Sequence, residues 1–237
     1  MLFKSSFVAA AVALFPGALA FSGKVLRIMP IGASITNGVG SSHGNGYRDD
    51  LYNLLERDGN VVNMVGSQKA GDFHHPHNEG YPGAVISEVN GHVQDAMPYY
   101  RPNVATILVG TNDCTRQLDP AGLPDRMYKL IDDVLNWPWL TMVVVATLPP
   151  NANPEGNALI DQYNAAMYSV AQRFNDQGRW VIVADVHSVV GLGDLVDGTH
   201  PNDAAFERMG QKFYEAIQVG ESRGWLADVY GAPPVQD

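Results

Sequence analysis

The chain has 237 residues, 46% of them hydrophobic, and its 25 Asp and Glu outnumber 15 Lys and Arg for a formal net charge of −10. An acidic chain with no basic patch repels a polyanion, which excludes nucleic acid as a partner. The one cysteine, Cys114, excludes an internal disulfide, so stability has to come from a buried core, which a chain of this length can build.

Residues 1–20 begin Met-Leu-Phe-Lys, continue through an apolar run from Phe7 to Phe15, and close on Ala18-Leu19-Ala20. This is the pattern of a secretory leader cleaved after Ala20. Pro16-Gly17 interrupts the apolar run well short of the ~20 residues a membrane-spanning helix needs. The expectation is a signal peptide at 1–20 and one domain over 21–237, secreted, extracellular, monomeric and without a membrane anchor after cleavage.

Apolar runs and turn residues then alternate along the chain. Val25-Leu26-Arg27-Ile28-Met29 reads as a buried strand. Gly46 to Gly59 contains a helix with Tyr47, Leu51, Leu54 and Leu55 on one face, stopped by glycine. Val61 to Gly66 is a second strand, and a long Gly, His and Pro-rich loop extends to Gly83. A helix is expected over Val85–Tyr99 and a third strand over Val104–Val109, almost free of polar residues, as in a parallel sheet covered on both faces. A helix at Asp125–Leu135, a strand at Met142–Thr147, a helix at Asn157–Gln177, a strand at Trp180–Asp185 and a helix at Asp203–Val219 complete the order. Strands alternating with helices, under the right-handed crossover rule, predict a three-layer α/β/α sandwich around a parallel sheet of about five strands.

In open α/β sheets function collects past the carboxyl ends of the strands, and Ser34 stands there after the first strand, between small residues. A serine hydroxyl needs a base, an orienting acid and oxyanion donors to act as a nucleophile. Asp197-Gly198-Thr199-His200 supplies an acid and a base three residues apart, before the last helix. A helix-capping loop gives the same letters, so the pair alone leaves both readings open. The glycines near Ser34 are not a nucleotide loop: no Lys-Ser/Thr follows them, and His43 stands where the dinucleotide motif has its third glycine.

Taken together, Ile31-Gly32-Ala33-Ser34, Gly80-Tyr81-Pro82-Gly83, Gly110-Thr111-Asn112-Asp113 and Asp197-Gly198-Thr199-His200-Pro201-Asn202 resemble the four blocks of the SGNH, or GDSL-type, hydrolases. The Arg27-Ile28-Met29-Pro30 lead-in, Gly46-Tyr47-Arg48, Val65-Gly66-Ser67-Gln68 and Asn78-Glu79-Gly80-Tyr81-Pro82-Gly83 are most similar to secreted carbohydrate esterases of family 3, which include acetylxylan esterases. The resemblance implies the flavodoxin-like SGNH fold and a serine esterase removing small acyl groups, above all acetyl, from a polysaccharide such as xylan, without metal or organic cofactor. It implies Ser34 as nucleophile, His200 as base, Asp197 as its orienting acid, and Ser34, Gly83 and Asn112 as the oxyanion hole. Where the family usually has Asp before the serine, this chain has Ala33, so other contacts must hold the serine loop or Ser34 is less well ordered for attack.

Tyr47 and Tyr81 adjoin loops near Ser34 and are the candidates for lining a substrate pocket. His74-His75-Pro76-His77, near Asp72 and His43, has no regular zinc spacing and is read as a loop bordering the site rather than a metal centre. Trp137 and Trp139 are read as packing residues, and Cys114 as a small buried one. The alternatives are a lipase or lysophospholipase of the same superfamily, although no long apolar lid is present, and a weakened carbohydrate-binding protein, suggested by Ala33.

Overall fold

The computed structural model describes residues 23–231, so the leader expected at 1–20 lies outside the described residues. In chain order its main elements are β1 (Val25–Gly32), α1 (Ser34–Asn37), α2 (Arg48–Arg57), β2 (Val61–Met64), β3 (Gln68–Lys69), β4 (His77–Gly80), α3 (Ile86–Tyr100), β5 (Val104–Leu108), α4 (Thr111–Thr115), α5 (Leu123–Leu135), β6 (Met142–Ala146), α6 (Pro154–Asn175), β7 (Val181–Ala184) and α7 (Asp203–Ser222).

The strands β2-β1-β5-β6-β7 are parallel neighbours in that order, which is the predicted five-stranded sheet. Every residue of β5 and β6 is buried, because helices cover both faces. On one face α2 packs on α7; on the other α3, α5 and α6 lie side by side. Right-handed crossovers require this split once the chain reverses direction at β1.

The sheet has two further strands. β4 takes over the edge of β1 where β2 stops, pairing Glu79 and Gly80 with Ile31 and Gly32, and β3 runs antiparallel to β4. Both fall in the stretch read as loop, because His77-Asn78-Glu79-Gly80 has neither β-branched nor aromatic residues. All four of these residues are nonetheless buried. Tertiary burial rather than β-propensity makes this strand.

Among the described residues no helix is long and apolar enough to cross a membrane. Cys114 is fully buried, and burial pushes its thiol up to about 12. The Trp137 and Trp139 rings stack at 5.3 Å and pack against the core at the amino end of β6.

Candidate active site

Three strand ends set the geometry. Gly32 at the end of β1 lies in register with Gly80 of β4 on one side and Leu108 of β5 on the other. Ser34, Gly83 and Asn112 each follow one of these ends by two to four residues, so the sheet delivers all three to one place. Only glycine fits at position 32: a Cβ there would stand 2.1 Å from Thr36 Oγ1 and 2.2 Å from the Leu108 carbonyl oxygen.

Ser34 opens α1, the single turn that follows β1, and Gly38 ends it in the left-handed region. Its hydroxyl lies 2.8 Å from Nε2 of His200. His200 Nδ1 lies 2.7 Å from Oδ2 of Asp197, while Asp197 Oδ1 accepts the backbone N–H groups of Thr199 (3.0 Å) and His200 (2.9 Å). Desolvation raises the Asp197 carboxyl, but the hydrogen bonds from the His200 ring and from these N–H groups, with the His200 charge, outweigh it and hold the group down at about 2. The His200 side chain is 17% exposed. The turn carrying the pair is pinned from several sides. Val196 donates to the His200 carbonyl, Ala152 to that of Gly198, and Asn151 Nδ2 to Thr199 Oγ1, while Asn202 caps α7 by accepting from Ala205.

Gly83 occupies the third position of the turn Tyr81-Pro82-Gly83-Ala84, closed by Ala84 N–H donating to the Tyr81 carbonyl at 3.0 Å. Proline second and a glycine at φ 85° third are what a type II turn requires. Tyr81 N–H donates to the Gly32 carbonyl, which fastens this turn to the chain just before Ser34. Asn112, in α4, donates from Nδ2 to the Ala84 carbonyl at 2.8 Å. Asp113 is buried and accepts the N–H of Ile86 at 3.0 Å, with Arg126 against its other oxygen. Burial raises its carboxyl despite these partners.

The serine loop has no side-chain cap at Ala33. It is held instead by Thr36, whose hydroxyl reaches the carbonyls of Ile31 and Leu108, by Asn37 Nδ2 on the Gly80 carbonyl, and by Arg48. The fully buried Arg48 donates from Nη2 to the carbonyls of Asn37, Gly44 and Ala70 (2.9 Å each) and from Nη1 to that of Pro76 (2.8 Å). Burial lowers its guanidinium to about 10, against the opposing pull of Tyr47 and Asp49. Arg48 thereby straps the serine loop to the histidine-rich segment. In the sequence Arg48 is one letter of the Gly46-Tyr47-Arg48 motif, and nothing in the pattern marks an arginine on a helix as buried.

Tyr47 is corrected by the structure. It is fully buried, its ring stacks on Phe213 at 4.4 Å and its hydroxyl meets Thr106 Oγ1 at 3.3 Å, so it belongs to the core and lines no substrate pocket. Tyr81 stacks on His92 at 3.9 Å and its hydroxyl donates to the buried carboxylate of Glu79. It lines a cavity of about 400 Å³ with Ser67, His92 and Tyr99, a set that includes no member of the Ser34–His200–Asp197 chain. Of the histidine-rich segment, His77 is buried in β4, His74 and His75 lie 4.3 Å apart, and His43 pairs with Asp72 at 2.8 Å. Among the described residues no three His, Cys, Asp or Glu side chains gather as a group that could hold a metal ion.

This arrangement is a hydroxyl, an imidazole and a carboxylate in one hydrogen-bonded line, beside a glycine turn and an asparagine amide. The chain matches the GDSL-like lipase/acylhydrolase family over residues 31–208 and belongs to that family, whose class is the carboxylic ester hydrolases. A multidomain esterase of Ruminococcus flavefaciens is 31% identical over 240 residues, which cover 87% of this chain and 30% of that protein. The chain thus spans under a third of that relative's length. Among solved structures, a family 3 carbohydrate esterase of Clostridium thermocellum is similar with a TM-score of 0.76 and 24% identity, covering 86% of this chain and 100% of the other. A carbohydrate esterase family 3 structure from Talaromyces cellulolyticus gives 0.69 and 19%, covering 83% and 99%.

Proposed function

We propose that the chain is a secreted serine esterase that removes acetyl groups from a polysaccharide such as xylan. The observation that carries the chemistry is the unbroken line from Ser34 Oγ through His200 to Asp197, with contacts of 2.8 and 2.7 Å. Ser34 Oγ attacks the ester carbonyl while His200 Nε2 takes its proton, and Asp197 stabilises the imidazolium that results. The N–H groups of Ser34 and Gly83 and the Asn112 amide receive the oxyanion. Collapse of the tetrahedral adduct expels the sugar oxygen, which leaves as a hydroxyl by taking the proton from His200, and Ser34 stays acylated. Water, giving a proton to His200, attacks the acyl carbonyl, and the second adduct collapses to acetate as Ser34 Oγ takes that proton from His200.

The acetyl and polysaccharide assignments draw on the resemblance to family 3 carbohydrate esterases, and secretion on the pattern of residues 1–20. A chain-length series of p-nitrophenyl esters, run beside acetylated xylan, tests the substrate. Activity that falls steeply beyond acetyl, with acetate released from xylan, supports this reading. Activity that rises with chain length supports a lipase instead.

A further inference from the structure

Arg116 follows α4 and is exposed. Its Nη2 stands 3.8 Å from where a Cβ on Gly83 would be, so the guanidinium lies against the turn proposed to hold the oxyanion. The chain has ten arginines, all within the described residues. The other nine donate to carbonyls, pair with carboxylates or lie over aromatic rings. Among the described residues Arg116 has no such side-chain partner.

The surrounding carboxylates are engaged elsewhere. Asp113 and Asp119 face Arg126, and Glu155 accepts from Gln117 Nε2 at 2.6 Å. A chain of net charge −10 therefore presents an uncompensated cation at the rim of its acyl site. An acetyl group is neutral and gives a cation nothing to recognise beyond the oxyanion itself. A guanidinium offers a planar fork of donors matched to a carboxylate.

We propose that Arg116 forms a subsite for a carboxylate-bearing sugar beside the acylated one, so that the preferred substrate is a uronate-substituted, acetylated polysaccharide. This rests on the reading of the site as a polysaccharide deacylase. The anion is a sugar carboxylate rather than a lipid phosphate because the acyl group it accompanies is proposed to sit on a polysaccharide.

The test compares acetate release from acetylated glucuronoxylan with release from the same polymer after its carboxyl groups are reduced to alcohols. The wild type is expected to favour the acidic polymer, less so as salt is added. In Arg116→Gln the ratio of the two rates falls about tenfold, the scale of one charge-assisted hydrogen bond, and Arg116→Lys lies between. Equal wild-type rates on the two polymers would overturn the inference. Equal losses on both in Arg116→Gln would do so as well, by placing Arg116 at the oxyanion instead. Hydrolysis of p-nitrophenyl acetate by the wild type tests the esterase reading separately. If that reading fails, calorimetric binding of glucuronoxylan oligosaccharides still decides: affinity lost in Arg116→Gln supports the subsite, and unchanged affinity rejects it.

Discussion

The Asn112 side chain donates to the Ala84 carbonyl at 2.8 Å, one residue past Gly83, which joins the segment after β5 to the turn after β4. One amide hydrogen is used for orientation, and the other is the one proposed to meet the oxyanion. Asn112→Ala removes both. Its kcat on p-nitrophenyl acetate is expected to fall about 10² to 10³-fold with little change in KM, the effect of losing one oxyanion donor. A rise in KM alone would assign Asn112 to ground-state binding.

Asp197 both orients the imidazole and accepts two backbone N–H groups. In Asp197→Asn the amide oxygen is drawn to those N–H groups and the NH₂ turns toward His200 Nδ1. That forces the ring proton onto Nε2, where it can no longer accept from Ser34. The expected loss in kcat is about 10⁴-fold, with folding retained by circular dichroism. The Asp197 carboxyl is held down at about 2, so at any higher working pH it stays ionised and keeps its contact with His200 Nδ1. A kcat close to that of the wild type in Asp197→Asn would count against this assignment.

Arg48 serves four carbonyls from a fully buried position. Arg48→Met takes a donor from each of these carbonyls, although that of Pro76 keeps Ala70 N–H and Asn78 Nδ2, and is expected to destabilise the fold by about 3 kcal/mol or more. Arg48→Lys recovers only part, since an ammonium has three donors on a narrower span. Urea denaturation at constant m-value reads the change. Activity in the surviving folded fraction should also fall, because the Asn37 carbonyl closes the turn that Ser34 opens. Full activity there would show that the strap holds the fold but not the serine.

Asp50 lines a cavity of about 470 Å³ with Asp49, Asp203 and Glu207. Burial first, and then these three carboxylates, push its own carboxyl from 3.8 up to about 6. A folded-state value above the unfolded one means that the fold favours the protonated form. The stabilisation from that proton is complete below the unfolded value and is lost as pH rises to about 6. Asp50→Asn removes the penalty, so its Tm should exceed that of the wild type near about pH 7 and approach it near about pH 4. A Tm difference independent of pH would contradict this.

What could be read from the sequence follows from how each feature is encoded. Five strands were legible because burial on both faces writes them as continuous apolar runs, Val143 to Val145 most plainly. β4 was not, because its residues are buried by their neighbours and not by their own hydrophobicity. The meeting of Ser34, Asp197 and His200 was legible because these side-chain types stand at the start of a single helical turn and in a turn before α7, where packing does not require them. Tyr47 was misplaced in the pocket although its helical face, shared with Leu51 and Leu55, already pointed inward. Arg48 and Asp113 carry buried charges that hold the site's loops, and their partners, mostly backbone groups, leave no trace in the letters. Ala33 looked like a missing brace; Thr36, Asn37 and Arg48 hold that loop by other routes.

The most direct test is intact-mass spectrometry of the protein quenched during turnover of p-nitrophenyl acetate. A fraction of the chain is expected to be heavier by one acetyl group, mapped by peptide digestion to Ser34 and absent from Ser34→Ala, which should be inactive. Turnover that persists in Ser34→Ala, or an acetyl group found on another residue in a kinetically competent intermediate, would contradict this.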